Sequence, residues 1–150
     1  PRVATTAVYE DRALLKTKSK DQAALKARFE IIFKRDWELR KGDLAERAGL
    51  VSWEAAAYNG LEETPLQDHF ERSGRGGLRI LLRDREGEAR GFLWMRGSGT
   101  EPVFRIMAEY GAGDGSRRDL EAFNRSMEAE LLDWLRAMVD EADSIQDASL

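Results

Sequence analysis

Arg96-Gly97-Ser98-Gly99-Thr100-Glu101-Pro102, with Arg105 three residues beyond the proline, is the stretch of this 150-residue chain best equipped for chemistry. Its parts are two guanidinium forks, two short hydroxyl donors and two glycines. A guanidinium supplies permanent positive charge in bidentate geometry. Glycine lets a ligand approach the backbone N–H groups closely. Together these are what a phosphate needs, so Arg96, Ser98, Gly99, Thr100 and Arg105 are the candidate phosphate ligands. Glu101 and Pro102 are read as orienting the loop, since a residue before proline is biased to extended backbone. The bland alternative is a hairpin turn with solvated arginines at its ends, because Gly and Ser are ordinary turn residues.

Two apolar runs position this loop. Arg90 to Met95 leads in and Val103 to Tyr110 leads out. Both read as strands. Along the second, Phe104, Ile106, Ala108 and Tyr110 share one face, and Arg105, Met107 and Glu109 share the other. Glu109 is expected to pair with an arginine of a neighbouring strand.

The full string Arg-x-Ser-Gly-Thr-Glu-Pro-x-x-Arg-x-x-x-Glu, here Arg96 to Glu109, resembles the signature of the C-terminal domain of the α-D-phosphohexomutases. That family includes phosphoglucomutase, phosphomannomutase and phosphoglucosamine mutase. The resemblance implies a loop that grips the phosphate of a hexose phosphate, and a four-domain enzyme of which this chain is the last domain. Such an enzyme interconverts hexose 1-phosphate and hexose 6-phosphate through a phosphoserine and a bisphosphorylated sugar. Its serine, its Mg²⁺ loop and its sugar-reading loop belong to the three preceding domains, which are the implied partners. Mg²⁺ and a hexose 1,6-bisphosphate activator are implied for the whole enzyme and none for this chain, which is expected to be inactive alone. Gly97 falls at a variable place in the motif and carries no expectation beyond turn geometry.

Upstream, residues 1–10 read as a linker or tail. Pro1 without an initiator Met reads as a fragment or processed chain. Arg12 to Lys18 is a short first strand. Ser19 followed by Gln22 is a capping-box pattern. Leu25, Phe29, Ile32 and Phe33 then form a helical stripe that is expected to stop near 39–41, before Gly42. Residues 42–77 are expected to be a partly helical insertion. Asp43 to Gly49 and Val51 to Tyr58 read as short helices, Pro65 as a break, and Ser73 to Gly77 as a flexible turn. The family has a much shorter connection here. Leu78 to Arg83 is the second strand. Leu120, Phe123, Met127, Leu131, Trp134, Leu135 and Met138 mark a long last helix, and the polar residues 141–150 are expected to fray. The expected fold is α+β, in the order β-α-β-β-β-α. A four-stranded antiparallel sheet carries two helices on one face, as in the TATA-binding-protein-like domain that the resemblance implies.

Twenty-four basic against 28 acidic residues give a net charge of −4 and a pI near 5.2. That balance disfavours general nucleic-acid binding. Cysteine is absent, which removes thiol chemistry and fits a reducing compartment. The expectation is one cytoplasmic domain without membrane segments. The lone His69 is read as solvated, no ligand cluster suggests a metal, and no nucleophile–base pair suggests a catalytic residue. The four tryptophans, Trp37, Trp53, Trp94 and Trp134, are read as packing residues. The second reading is a non-enzymatic module that senses sugar phosphates, or binds a ligand or RNA, with Phe92 and Trp94 facing outward.

Overall fold

The computed structural model describes residues 12–97, 103–111 and 118–145. Among these, six antiparallel strands and two long helices form an α+β unit. In chain order they are β1 (Arg12–Lys16), α1 (Gln22–Ala48), β2 (Ser52–Asn59), β3 (Glu62–Leu66), a 3₁₀ turn (Phe70–Ser73), β4 (Gly77–Arg83), β5 (Ala89–Gly97), β6 (Val103–Tyr110) and α2 (Arg118–Ser144). The sheet order is β1-β6-β5-β4-β2-β3. The expected β-α-β-β-β-α set is present as β1, α1, β4, β5, β6 and α2. The sheet has six strands where four were expected, because residues 52–66 continue it as a hairpin beyond β4.

Each boundary has a local cause. The side chain of Asp21, not Ser19, caps α1 by accepting the Ala24 N–H at 3.1 Å. The Ser19 hydroxyl instead donates to the Asp21 carbonyl, so the expected capping box does not form. The helix runs through Gly42, against expectation. A mid-helix glycine costs about 1 kcal/mol, and the buried Leu44 and Ala48 beyond it offset that cost. The stop is Gly49, at φ 72°, where a left-handed residue closes the helix.

Val51 to Tyr58 was expected to be a short helix and is instead β2. Trp53, Ala55 and Ala57 face the helices, while Glu54 and Tyr58 face away. Pairing with β3 on one side and β4 on the other satisfies the backbone of β2. Such pairing overrides the weak helical preference of alanine. Pro65 is tolerated because β3 is an edge strand, where a missing N–H costs no ladder bond.

The core lies between one sheet face and the two helices. Leu25, Phe29, Phe33 and Trp37 of α1 and Met127, Leu131, Trp134 and Leu135 of α2 meet Ile80, Leu82, Leu93, Met95, Phe104 and Ile106 there. The last turn of α2 is not frayed. Ala142 is buried, and the Asp143 carboxylate accepts the N–H groups of Lys18 and Ser19 at 2.6 and 2.8 Å. The opposite sheet face carries no helix among the described residues.

Candidate functional site at the mouth of the β5–β6 hairpin

β5 and β6 pair so that Arg96 stands directly opposite Arg105. Both lie on the helix-free face and both are exposed. Like charges opposite one another destabilise a strand pair, so the pairing is a local cost. The other arginines on the central strands are compensated. Arg79 meets Glu63 at 3.2 Å, Arg83 meets Glu54 at 3.0 Å, and Arg90 meets Asp84 at 2.6 Å. Arg96 and Arg105 have no hydrogen bond or ion pair to any carboxylate among the described residues. They line a shallow concavity of about 520 Å³ with Leu14, Trp94 and Met107. An anion seated there would face two guanidinium forks above an apolar floor.

Trp94 shapes one wall. Its indole lies over the bare backbone of Gly77, where any side chain would occupy the same space. The ring also meets Tyr58 edge-on at 5.5 Å, and the Arg79 guanidinium sits over Tyr58 at 5.2 Å. Trp94 is therefore a half-buried surface residue rather than the packing residue expected. Trp37 and Trp134 are core, and Trp53 packs on Phe33 and Phe70. Phe92 also faces outward, opposite Glu109. Glu109 accordingly has no neighbouring arginine in register and, among the described residues, no ion pair.

Gly97 closes β5 and does more than shape a turn. The Gln22 side chain at the start of α1 fills the place a Cβ would take. Helix α1 thus rests against the hairpin at its mouth. One turn further on, Lys26 is fully buried, and its Nζ donates to the carbonyls of Gly74 and Gly76 at 2.7 Å each. Those carbonyls lead into Gly77, whose register partner is Arg96. Burial, and after it the positive charge of Arg96, push the Lys26 amine down to about 7. A neutral amine has two protons to donate, which matches the two carbonyls.

Ser98, Gly99, Thr100, Glu101 and Pro102 lie outside the described residues. The structure thus brings Arg96 and Arg105 together and does not bear on the loop that joins them. Lys26, Tyr58 and Gly77 were missed. The signal for Lys26 was available: it precedes Phe29 by three residues and Phe33 by seven, which puts a lysine inside the apolar stripe. Gly77 and Tyr58 become neighbours of Trp94 only through the β2–β4–β5 pairing, which no local pattern shows.

His69 lies in an exposed loop, 3.1 Å from the Glu71 carboxylate. Among the described residues no group of three acidic or histidine side chains is placed to hold a metal. No helix among them is long and apolar enough to cross a membrane. Comparison of the chain with protein-family models, curated proteins and solved structures gave no match.

Proposed function

We propose that this chain is the phosphate-gripping C-terminal domain of an α-D-phosphohexomutase, a TATA-binding-protein-like unit widened by the β2–β3 hairpin. The observation that carries the reading is the Arg96–Arg105 pair, which has no carboxylate partner among the described residues and stands at the mouth of the hairpin that bears the motif. Two like charges held opposite each other, while Arg79, Arg83 and Arg90 each meet a carboxylate, suit a ligand that brings its own negative charge. A charge-assisted hydrogen bond contributes about 1.5–3 kcal/mol, so two forks on one dianion dominate the local energy.

In this reading Arg96 and Arg105 hold the phosphate that is not reacting, with the hydroxyls of Ser98 and Thr100 and the backbone at Gly99 completing the grip. Glu101 and Pro102 orient the loop. The substrate is a hexose phosphate. The three preceding domains supply the phosphoserine, the Mg²⁺ site and the sugar contacts, and a hexose 1,6-bisphosphate activates the enzyme. Holding the sugar fixed brings its other phosphate to the serine, and phosphoryl transfer depends mainly on such positioning. The test is Arg96→Ala in the whole enzyme. A loss of at least tenfold in kcat/KM supports the grip, and a loss within about twofold defeats it.

A second reading is favoured by one observation: Phe92, Trp94 and Tyr58 stand on the helix-free face beside Arg79, Arg96 and Arg105. Aromatics and positive charge on an open sheet can stack single-stranded RNA. The net charge of −4 and the neutralisation of Arg79 by Glu63 weigh against it. Filter binding to single-stranded RNA at low salt separates the two readings.

A further inference from the structure

Lys26 is the one charged side chain among the largest fully buried groups of the described core. It contacts no part of the concavity, yet it is tied to it in two ways. Its Nζ fixes the carbonyls of Gly74 and Gly76, and so the entry of β4, where Gly77 supports the Trp94 indole and pairs with Arg96. It also lies within the field of the Arg96 guanidinium. The other charged groups of the surrounding elements are engaged or exposed. Glu30, one turn along α1, bonds the Phe70 N–H and Lys34. Glu71 of the 3₁₀ turn bonds His69. Arg72 and Arg75 are exposed.

We propose that Lys26 is a proton-linked positioning residue of the anion site: a dianion bound by Arg96 and Arg105 draws a proton onto the buried Lys26 Nζ, and the protonated chain binds the dianion more tightly. This rests on the phosphate reading of the Arg96–Arg105 pair. Its physical basis is reciprocity. Without ligand, Arg96 opposes a second positive charge behind it. A bound dianion cancels that opposition and replaces it with attraction. If binding favours the ammonium, then the ammonium favours binding by the same factor. The amine sits near 7 in the free chain, so the exchange falls within the physiological range.

The probe is sulfate, a dianion whose charge does not change across the range, with chloride at matched ionic strength as the blank. The Lys26 Cε resonance is followed by ¹³C NMR from pH 5 to 10 in the 150-residue chain. Saturating sulfate is expected to raise the Lys26 pKa by about one unit, and the sulfate Kd to weaken about tenfold from pH 6 to pH 9. In Arg96→Gln the Lys26 pKa is expected to rise without any sulfate, and sulfate is expected to have no further effect. That variant keeps Lys26 and its two carbonyl bonds, so it tests the coupling without disturbing the core. Sulfate-dependent amide shifts at Gly97 and Arg105 with an unmoved Lys26 titration overturn the linkage and leave the phosphate site standing. No sulfate-dependent shifts at any pH overturn both. An Arg96→Gln chain whose Lys26 titrates as in the parent overturns the electrostatic coupling by itself.

Discussion

The indole of Trp94 lies on Gly77, one strand away, in space that any larger residue at position 77 would fill. This contact, with the edge-on Tyr58 ring, shapes the wall of the concavity in which Arg96 and Arg105 stand. Gly77→Val should push the indole off β4, because overpacking forces neighbours from their rotamers, at about 1–3 kcal/mol. The urea midpoint should fall, and the Trp94 indole N–H resonance should move. An unchanged indole resonance would show that Trp94 does not rest on Gly77.

Tyr110 joins the end of β6 to the end of α1. Its hydroxyl donates to the Ala48 carbonyl at 2.6 Å, in a buried setting. Tyr110→Phe removes the donor and leaves the ring. The expected cost is about 1 kcal/mol, near the centre of the range for one net hydrogen bond. Chemical denaturation of the two proteins measures it, and equal stabilities would contradict the bond.

Lys26 gives stability a dependence on alkaline pH. Its folded value is near 7 against 10.5 when unfolded. Between those values the unfolded chain holds the extra proton, so stability rises with pH across that window, by at most about 1.4 kcal/mol per unit. Below about 7 both states are protonated, and the burial cost is paid in full. The unfolding free energy of the parent minus that of Lys26→Met should therefore be more positive at pH 9.5 than at pH 6.5. Parallel pH profiles would mean that Lys26 titrates normally.

Asp84 acts at the acid end. It accepts from Arg90 and from the N–H groups of Glu86 and Glu88, and the Arg90 bond, then those backbone bonds, hold its carboxyl below the usual range. A depressed carboxylate stabilises the fold above its unfolded value and loses that contribution as pH falls through its folded value. Asp84→Asn should lower the urea midpoint at pH 6, and the difference should shrink as the pH approaches 2. A difference independent of pH would contradict the carboxylate's role.

The strands around the motif and both long helices were legible because their patterns are local. Phe104, Ile106, Ala108 and Tyr110 alternate and are all buried in β6. Leu131, Trp134, Leu135 and Met138 step by three and four and are all buried in α2. Residues 42–77 were misread because their signals conflict with their surroundings. Gly42 looks like a stop but is outweighed by Leu44 and Ala48. Ala55, Ala56 and Ala57 look helical but complete a sheet whose next strand begins at Gly77. At the candidate site, the motif singled out Arg96 and Arg105, which the β5–β6 register sets opposite one another. The place of Lys26 in the apolar stripe was legible, but its partners were not, because they are carbonyls 48 and 50 residues away.

An amide NMR titration of this chain with glucose 1-phosphate tests the central claim most directly, run on the parent, on Arg96→Ala and on Arg79→Ala. Arg79 already has a carboxylate partner and serves as the control. An isolated domain should bind near millimolar, about −4 kcal/mol. Saturable shifts at Gly97, Gly99, Thr100 and Arg105 are expected in the parent and in Arg79→Ala, with none in Arg96→Ala. Equal shifts in all three proteins, or none in the parent at tens of millimolar, would contradict a phosphate grip by the Arg96–Arg105 pair.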